Sequence, residues 1–118
     1  MHELSIVLNI IDIAESEAQK AGAAAVKRIE LDIGKLSTVE PMAFDFAWKQ
    51  AVRNTMLEHA ERVINYVAGK GRCTECGTEF DMNELFDPCP ACGSYLSEVI
   101  RGHELQVRSI NINSETVT

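Results

Sequence analysis

The stretch CTECGTEFDMNELFDPCPACG, residues 73–93, contains all four cysteines of the chain. They form two Cys-x-x-Cys pairs separated by twelve residues, Cys73 with Cys76 and Cys89 with Cys92. A tight turn with this spacing directs two thiolates at one ion, and the glycine after each pair, Gly77 or Gly93, supplies the permissive backbone that such turns use. Two turns that face each other place four sulfurs at the corners of a tetrahedron. The stretch therefore predicts a zinc ribbon around a structural zinc ion.

Disulfides and redox chemistry are the alternatives to zinc. A disulfide within each pair would close only a tiny ring, and a chain without a secretory signal is expected in a compartment that keeps thiols reduced. A redox Cys-x-x-Cys normally opens a helix, which Pro88, Pro90 and the trailing glycines do not favour. The two pairs are separated by twelve residues, slightly fewer than the number typical of zinc sites, which is about 15–20. The pattern as a whole favours structural zinc.

The cysteine stretch has little large apolar content with which to build a core. Its larger apolar residues are Phe80, Met82, Leu85 and Phe86. We expect zinc to hold the segment together, because metal binding in such modules contributes on the order of 10 kcal/mol or more. Five acidic residues and no basic residue lie between Cys73 and Cys92, so the ribbon is expected to repel phosphates and not to bind nucleic acid.

The overall composition is that of an ordinary globular protein. With 118 residues, of which 46% are apolar and 25% charged, the chain can bury one core and add a small module beside it. The net charge of −7 disfavours nucleic acid and anionic membranes as partners. No apolar run reaches the roughly 20 residues of a membrane span, and acidic residues stand where a secretory signal would be basic. A cytoplasmic protein is predicted.

Hydrophobic periodicity predicts a first helix from Leu4 to about Lys20, ended by Gly22. The predicted core stripe of this helix comprises Leu4, Val7, Leu8, Ile11, Ala14 and Ala18. Further isoleucines, Ile6, Ile10 and Ile13, widen the apolar arc and make it a candidate surface for a partner.

A second helix is predicted to begin near residues 37–41, either with a capping box from Ser37 to Glu40 or with Pro41 in its first turn. It should run to about Asn54, and Met42 and Trp48 are expected to pack in or near its core. Alternating patterns predict three strands, at residues 26–33, 62–68 and 104–112, followed by a frayed polar tail.

These elements predict an α/β fold in which two helices pack on a small three-stranded mixed sheet, with the zinc ribbon inserted as a separate module. The passage from residue 26 to residue 68 is long enough for a parallel right-handed crossover. The predicted domains are residues 1–69 with 97–118 for the α/β part, and residues 70–96 for the ribbon.

The sequence MHE at residues 1–3 carries a second candidate metal site. The amine of Met1, the deprotonated backbone nitrogen of His2 and its imidazole Nδ1 can close fused five- and six-membered chelate rings around one ion. Three nitrogens then lie in one plane, which suits Ni(II) or Cu(II) and leaves a fourth position for a partner's ligand. Glu3 could orient the imidazole or stabilise the first helical turn. The alternative is an exposed histidine without a metal, and these residues alone leave both interpretations open.

The quoted motifs together resemble the HypA/HybF family of hydrogenase nickel-incorporation proteins. They are MHE at the start, IGKLSTVEP at residues 33–41, the two Cys-x-x-Cys pairs, and GHELQVRSINI at residues 102–112. The resemblance covers essentially the whole chain. Its most specific part is a histidine at position two combined with a four-cysteine ribbon in the C-terminal half.

The resemblance implies a nickel metallochaperone that acts with the GTPase HypB and delivers Ni(II) to the large subunit of a NiFe hydrogenase. It identifies His2, beside Glu3 and the amine of Met1, with the family's nickel site, and the four cysteines with its structural zinc ligands. The α/β part becomes the nickel-binding domain. No phosphate loop, Ser–His pair or paired acids indicate an enzyme.

Two other functions stay open on the sequence, a zinc-ribbon adaptor that binds proteins without a second metal and a thiol oxidoreductase. His103 follows the ribbon closely and could complete the nickel plane, whereas His59 is expected to be a solvated turn residue. The sequence does not decide the oligomeric state, and a homodimer is one option.

Overall fold

The computed structural model describes residues 2–112 and 115–117. Its elements in chain order are α1 (Glu3–Lys20), β1 (Arg28–Gly34), α2 (Pro41–Ala51), β2 (Glu61–Val67), β3 (Lys70–Cys73), β4 (Glu79–Asp81), β5 (Ser97–Arg101), β6 (Leu105–Ile112) and β7 (Glu115–Val117). The predicted α/β class with an inserted ribbon is confirmed. Within the described residues, no helix is long and apolar enough to cross a membrane.

The chain divides into two compact units. The first contains the chain up to Leu31, Val39–Ile64, and the chain from Gln106 onward. The second contains Asp32–Thr38 and Asn65–Leu105, and it includes the cysteines. The assignment of nickel binding to one unit and zinc binding to the other stays a prediction at this point.

Helix α1 ends where the sequence predicts. Gly22 has φ +76°, a left-handed conformation that glycine adopts without steric cost. Its backbone N–H donates to the carbonyl of Gln19 at 3.0 Å, and the N–H of Ala23 donates to the carbonyl of Ala18 at 3.0 Å. These bonds satisfy carbonyls that the last turn would otherwise leave without partners.

The buried face of α1 differs from the predicted stripe. Leu4 and Leu8, placed in the core by the prediction, are 45% and 52% exposed, whereas Ile10 is buried. The prediction was wrong at these positions because apolar residues cover so wide an arc of this helix that periodicity alone does not fix which side faces the core. The buried residues of α1 are Glu3, Val7, Ile10, Ile11, Ala14 and Ala18.

Helix α2 starts at the proline. Pro41 occupies the first turn, and the carboxylate of Glu40 caps the helix by accepting the N–H of Ala43 at 2.6 Å. The Ser37 hydroxyl instead donates to the carbonyl of Gly34, 2.7 Å away, and so belongs to the turn after β1. Trp48 is buried as predicted. Met42 is 80% exposed, so its prediction as a core residue was wrong.

Strands β2, β1, β6 and β7 form one sheet in that order. Strands β1 and β2 run parallel, as the crossover prediction requires. At one end the carbonyl of Lys27 accepts the N–H of Glu61 at 2.9 Å, and at the other the N–H of Lys35 donates to the carbonyl of Val67 at 2.8 Å.

Strands β1 and β6 run antiparallel, so the sheet is mixed. The N–H of Lys27 donates to the carbonyl of Asn111, and the N–H of Gly34 donates to the carbonyl of Glu104. Strand β7 pairs antiparallel with β6, with Ile112 opposite Glu115. Among the described residues the sheet therefore has four strands and not the predicted three, because residues 115–117 of the polar tail, which include the β-branched Thr116 and Val117, extend it.

Arg62 of β2 lies against α2. Its Nη2 donates to Asp45 Oδ1 at 2.7 Å, and its guanidinium stands 5.5 Å from the Trp48 ring centroid and 5.8 Å from that of Phe44. The hydrogen bond from Arg62, assisted by Lys49, holds the pKa of Asp45 below its usual value. The pair thus links the helix to the strand through both charge and ring contacts.

We expect Asp45→Asn to lower the melting temperature near pH 7. Because the pKa of Asp45 is lowered in the folded chain, the stabilisation is complete above the ordinary carboxyl pKa of about 4 and is lost as the pH falls through the folded pKa. Thermal unfolding of both proteins from pH 7 to pH 3 checks this. The melting temperatures should converge in acid, and a difference between them that stays constant down to pH 3 would contradict the prediction.

Candidate metal sites

Each Cys-x-x-Cys pair lies in a turn with the same hydrogen bonds. In the first turn the N–H of Gly77 donates to the carbonyl of Cys73 at 3.0 Å, and the N–H of Cys73 donates to the carbonyl of Thr78 at 2.9 Å. The second turn repeats both bonds at 2.8 Å around Cys89 and Gly93. The two glycines have φ +78° and +77°. Only glycine adopts this conformation without strain, which explains its place after each pair.

The two turns bring the four thiol sulfurs together. All four ligand atoms lie within 4.8 Å of one another. The Sγ of Cys73 is 3.5 Å from that of Cys92, and the Sγ of Cys76 is 3.6 Å from that of Cys89. A tetrahedral zinc ion with bonds of about 2.3 Å needs sulfurs about 3.8 Å apart. The geometry of the four-cysteine cluster therefore fits zinc. Over residues 2–112 and 115–117, no other group of metal-ligating side chains lies so close together.

The turns also favour the thiolate form that a metal requires. The hydroxyl of Thr78, 3.2 Å from the sulfur, and the backbone N–H of Thr78 lower the pKa of Cys76 to about 6. The N–H of Cys76 lowers the pKa of Cys73 in the same way. At Cys92 the N–H of Ser94 acts in this direction, but the neighbouring thiols outweigh it and raise the pKa to about 12. Four thiolates at this distance need a cation among them, which a zinc ion supplies when bound.

Two of the cysteines belong to a small buried apolar cluster. Strands β4, β3 and β5 form an antiparallel sheet in that order. The buried cluster comprises Leu36, Cys73, Phe80, Met82 and Cys89, with Val99 packed against it. Leu36 comes from the turn after β1, far outside the cysteine stretch. This contribution is not predictable from the sequence, because no local pattern marks a single leucine in a turn as part of a distant core.

His2 is the N-cap residue of α1. Its carbonyl accepts the N–H of Ile6 at 3.1 Å and the hydroxyl of Ser5 at 2.8 Å. Its side chain is 48% exposed, and Nε2 lies 3.7 Å from Oε2 of Glu3. Met1, whose amine was predicted as a ligand, lies outside the described residues.

Glu3 is a buried acid, only 5% exposed. Its Oε2 accepts the backbone N–H of Glu40 at 3.1 Å, and this hydrogen bond holds the pKa of Glu3 below its usual value. The carboxylate therefore ties the first turn of α1 to the start of α2 while standing beside the imidazole of His2. The sequence placed Glu3 near the candidate nickel site but gave no sign of its bond to Glu40.

The other two histidines are exposed. His59 follows α2 with a side chain that is 93% exposed, as expected of a turn residue. His103 lies between β5 and β6, in the compact unit that contains the cysteines. Its participation in a nickel site stays a prediction.

Replacement of Cys73 by Ser should abolish the ordered ribbon. One ligand is lost, and three thiolates hold zinc too weakly to supply the stabilisation, on the order of 10 kcal/mol, that the complete site contributes to folding. We expect less than a tenth of the zinc content, with amide-exchange protection lost in β3–β5. Elemental analysis and hydrogen exchange check this. Glu75→Gln, at an exposed position between the first two cysteines, should keep its zinc, and an ordered ribbon in zinc-free Cys73→Ser would contradict the prediction.

The whole chain is similar to proteins named HypA. The family model described as hydrogenase/urease nickel incorporation, metallochaperone, HypA matches residues 1–112. A hydrogenase maturation factor HypA from Parabacteroides distasonis is 46% identical over 115 residues, which are 98% of this chain and 100% of that protein. One from Geobacter metallireducens is 44% identical over 112 residues, 95% of this chain and 99% of that protein.

Among solved structures, the solution structure of the Ni metallochaperone HypA from Helicobacter pylori matches with a TM-score of 0.69 and 25% identity, covering 95% of this chain and 97% of that one. A second HypA solution structure matches with a TM-score of 0.70 and 26% identity, covering 98% of each chain. The expectation drawn from the sequence motifs is confirmed: this chain belongs to the HypA family of nickel metallochaperones for hydrogenase maturation.

Proposed function

We propose that this chain binds Ni(II) through the amine of Met1 and the backbone and imidazole nitrogens of His2, and delivers it in the cytoplasm to a NiFe-hydrogenase large subunit together with the GTPase HypB. Zinc at the four cysteines has a structural role, and the chain itself has no catalytic role. Membership of the HypA family supports nickel as the cargo. The observation that carries the proposed site is the exposed imidazole of His2, held beside a buried carboxylate at the start of α1.

The position of His2 suits the planar chelate. As the N-cap residue it uses its carbonyl, not its backbone nitrogen, in the first helical hydrogen bond. Deprotonation of that nitrogen by Ni(II) would therefore leave the helical ladder intact. The exposure of the imidazole leaves room for an incoming ion and for a fourth ligand from a partner. Three nitrogens in one plane suit the ligand preferences of Ni(II).

Glu3 acts in this proposal as a positioning residue and not as a ligand. Chelation through Nδ1 leaves Nε2 of the imidazole as a hydrogen-bond donor. Oε2 of the Glu3 carboxylate is 3.7 Å from Nε2. Because Oε2 also accepts the N–H of Glu40, the carboxylate is anchored in the first unit and offers the ring a fixed acceptor. Such outer partners orient metal-bound imidazoles and fix their tautomer.

Transfer of nickel is proposed to occur by ligand exchange. A planar site with three protein nitrogens leaves a fourth coordination position, which a partner's side chain can occupy before the three nitrogens dissociate from the ion. This order keeps the ion coordinated throughout. Copper binds such nitrogen sets more tightly than nickel does, so selectivity must come from metal availability and from recognition of the partner.

His2→Ala should abolish stoichiometric nickel uptake, because it removes the imidazole that closes the second chelate ring. In isothermal titration calorimetry of untagged proteins, His2→Ala should bind Ni(II) at least a hundredfold more weakly than the unaltered chain. Its zinc content and helix content should be unchanged. Acetylation of the Met1 amine should have the same effect. His59→Ala is the matched control. Tight one-to-one nickel binding by His2→Ala would reject the terminal chelate, whereas the absence of nickel binding by the unaltered protein would favour a zinc-ribbon adaptor without a second metal.

Part of α1 offers exposed apolar residues close to the proposed nickel end, and we propose it as the surface that meets HypB. Leu4, Leu8 and Ile13 are 45%, 52% and 46% exposed. Ile10 is buried, so a charge at that position would disrupt the core and would not report on a partner.

Leu8→Glu should weaken the binding of HypB about tenfold or more without unfolding the chain, because an exposed apolar contact is replaced by a charge. Surface plasmon resonance with immobilised HypB checks this, with the melting temperature measured on the same samples. Asn9→Glu, also exposed but polar in the native chain, adds a charge without removing an apolar contact. Equal affinities of Leu8→Glu and the unaltered protein would remove this part of α1 from the proposed interface.

A further inference from the structure

The loop between β4 and the second cysteine pair exposes a large aromatic ring. Phe86 is 79% exposed and its neighbour Leu85 is 37% exposed. Neither belongs to the buried cluster beneath the cysteines. Burial in the ribbon core therefore does not explain why this short loop contains two adjacent large apolar residues.

Internal hydrogen bonds hold the loop in one shape. The Oδ2 of Asp87 accepts the backbone N–H of Asn83 at 2.9 Å and that of Glu84 at 3.1 Å. The N–H of Asp87 in turn donates to the carbonyl of Glu84 at 3.3 Å. The exposed ring is thus presented on a preformed backbone, which reduces the entropy lost when it docks.

Phe86 also has an unusual backbone conformation. Its φ is +67°, in the left-handed region that bulky residues rarely adopt. An asparagine or glycine would fit this conformation with less strain, and Phe86 contributes no buried packing that offsets the strain. Strained backbone positions concentrate at functional sites. The exposed ring of Phe86 is accessible for a contact outside the fold.

Acidic residues that lie near Phe86 in the sequence have no basic ion-pair partners among the described residues. Glu84 and Asp81 are exposed, and Asp87 is partly exposed. In the part of the chain that the structure describes, no lysine or arginine forms an ion pair with them, in contrast to Glu79, which lies 3.5 Å from both Lys70 and Arg72. The loop therefore combines an apolar tip with two acidic residues, Glu84 and Asp87, which form no ion pair in the described residues and which we call its negative rim.

We propose that the loop Asn83–Asp87 is a docking tip that inserts Phe86 into an apolar pocket rimmed by lysine and arginine on a protein partner. The negative rim selects this chemistry, because it repels the phosphates of nucleic acids and anionic lipids but attracts basic side chains. An aromatic anchor in a pocket with a charged rim is the usual arrangement of an interface hot spot. The inference rests on the proposed function only for the choice of the two binding probes.

The test uses the full zinc-loaded chain and two probes, HypB and the precursor of the NiFe-hydrogenase large subunit. Phe86→Asn removes the ring and keeps a residue that tolerates positive φ, so the loop retains its shape. We expect the Kd for one of the two probes to rise tenfold or more. Tyr95→Asn, which removes a 66% exposed ring after the second cysteine pair, is the matched control and should leave that Kd within twofold.

The acidic residues of the loop allow a second, independent test of the proposal. Glu84→Gln should weaken the same interaction and reduce its dependence on salt between 50 and 300 mM NaCl, because one attractive charge is removed. Zinc content and melting temperature of all variants should match the unaltered chain.

Unchanged Kd values for both probes with Phe86→Asn would overturn the proposal. An equal loss of affinity in Phe86→Asn and Tyr95→Asn would also overturn it. So would binding to phosphatidylserine vesicles that depends on Phe86. Nickel titration of the same samples reports separately on the His2 site. A failure of the proposed nickel function is thereby distinguished from a failure of the docking tip.

Discussion

Mutual repulsion among four closely spaced thiolates is the constraint on which the ribbon depends. Backbone N–H groups of the first turn lower the pKa of Cys73 and Cys76 and so favour ionised sulfur, yet the sulfurs stand so close that Cys92 resists ionisation. Only a cation can satisfy both tendencies. The small core beneath, with Phe80 and Met82, then adds packing to a geometry that the metal fixes.

Much of this fold is predictable from local patterns. The two Cys-x-x-Cys pairs predict their own turns because the spacing and the following glycines leave little conformational choice, and Gly22 and Pro41 mark the helix boundaries for equally local reasons. The buried side of α1 was not predictable in the same way. When apolar residues cover most of a helix, the neighbours decide which side is buried, and the chain alone does not name them.

The contacts that the sequence could not indicate are those between distant residues. Glu3 accepts the backbone N–H of Glu40, and Arg62 joins Asp45 to two aromatic rings, and no spacing rule anticipates such partners. The candidate nickel site shows the same division. Its proposed donor set follows from residues 1–3 of the sequence alone, but the anchoring of the carboxylate beside the imidazole emerges only from the fold.

Leu36 changes how the ribbon should be regarded as a building block. Insertions of this kind are often treated as cassettes whose ends can be cut and joined elsewhere. Here Leu36, which packs in the same core as two of the metal ligands, belongs to a turn that precedes the cysteine segment in the chain. A transplanted segment of residues 70–96 would contain all four cysteines and still lack this leucine. A chimera between relatives should therefore exchange the Gly34–Ser37 turn together with the cysteine segment.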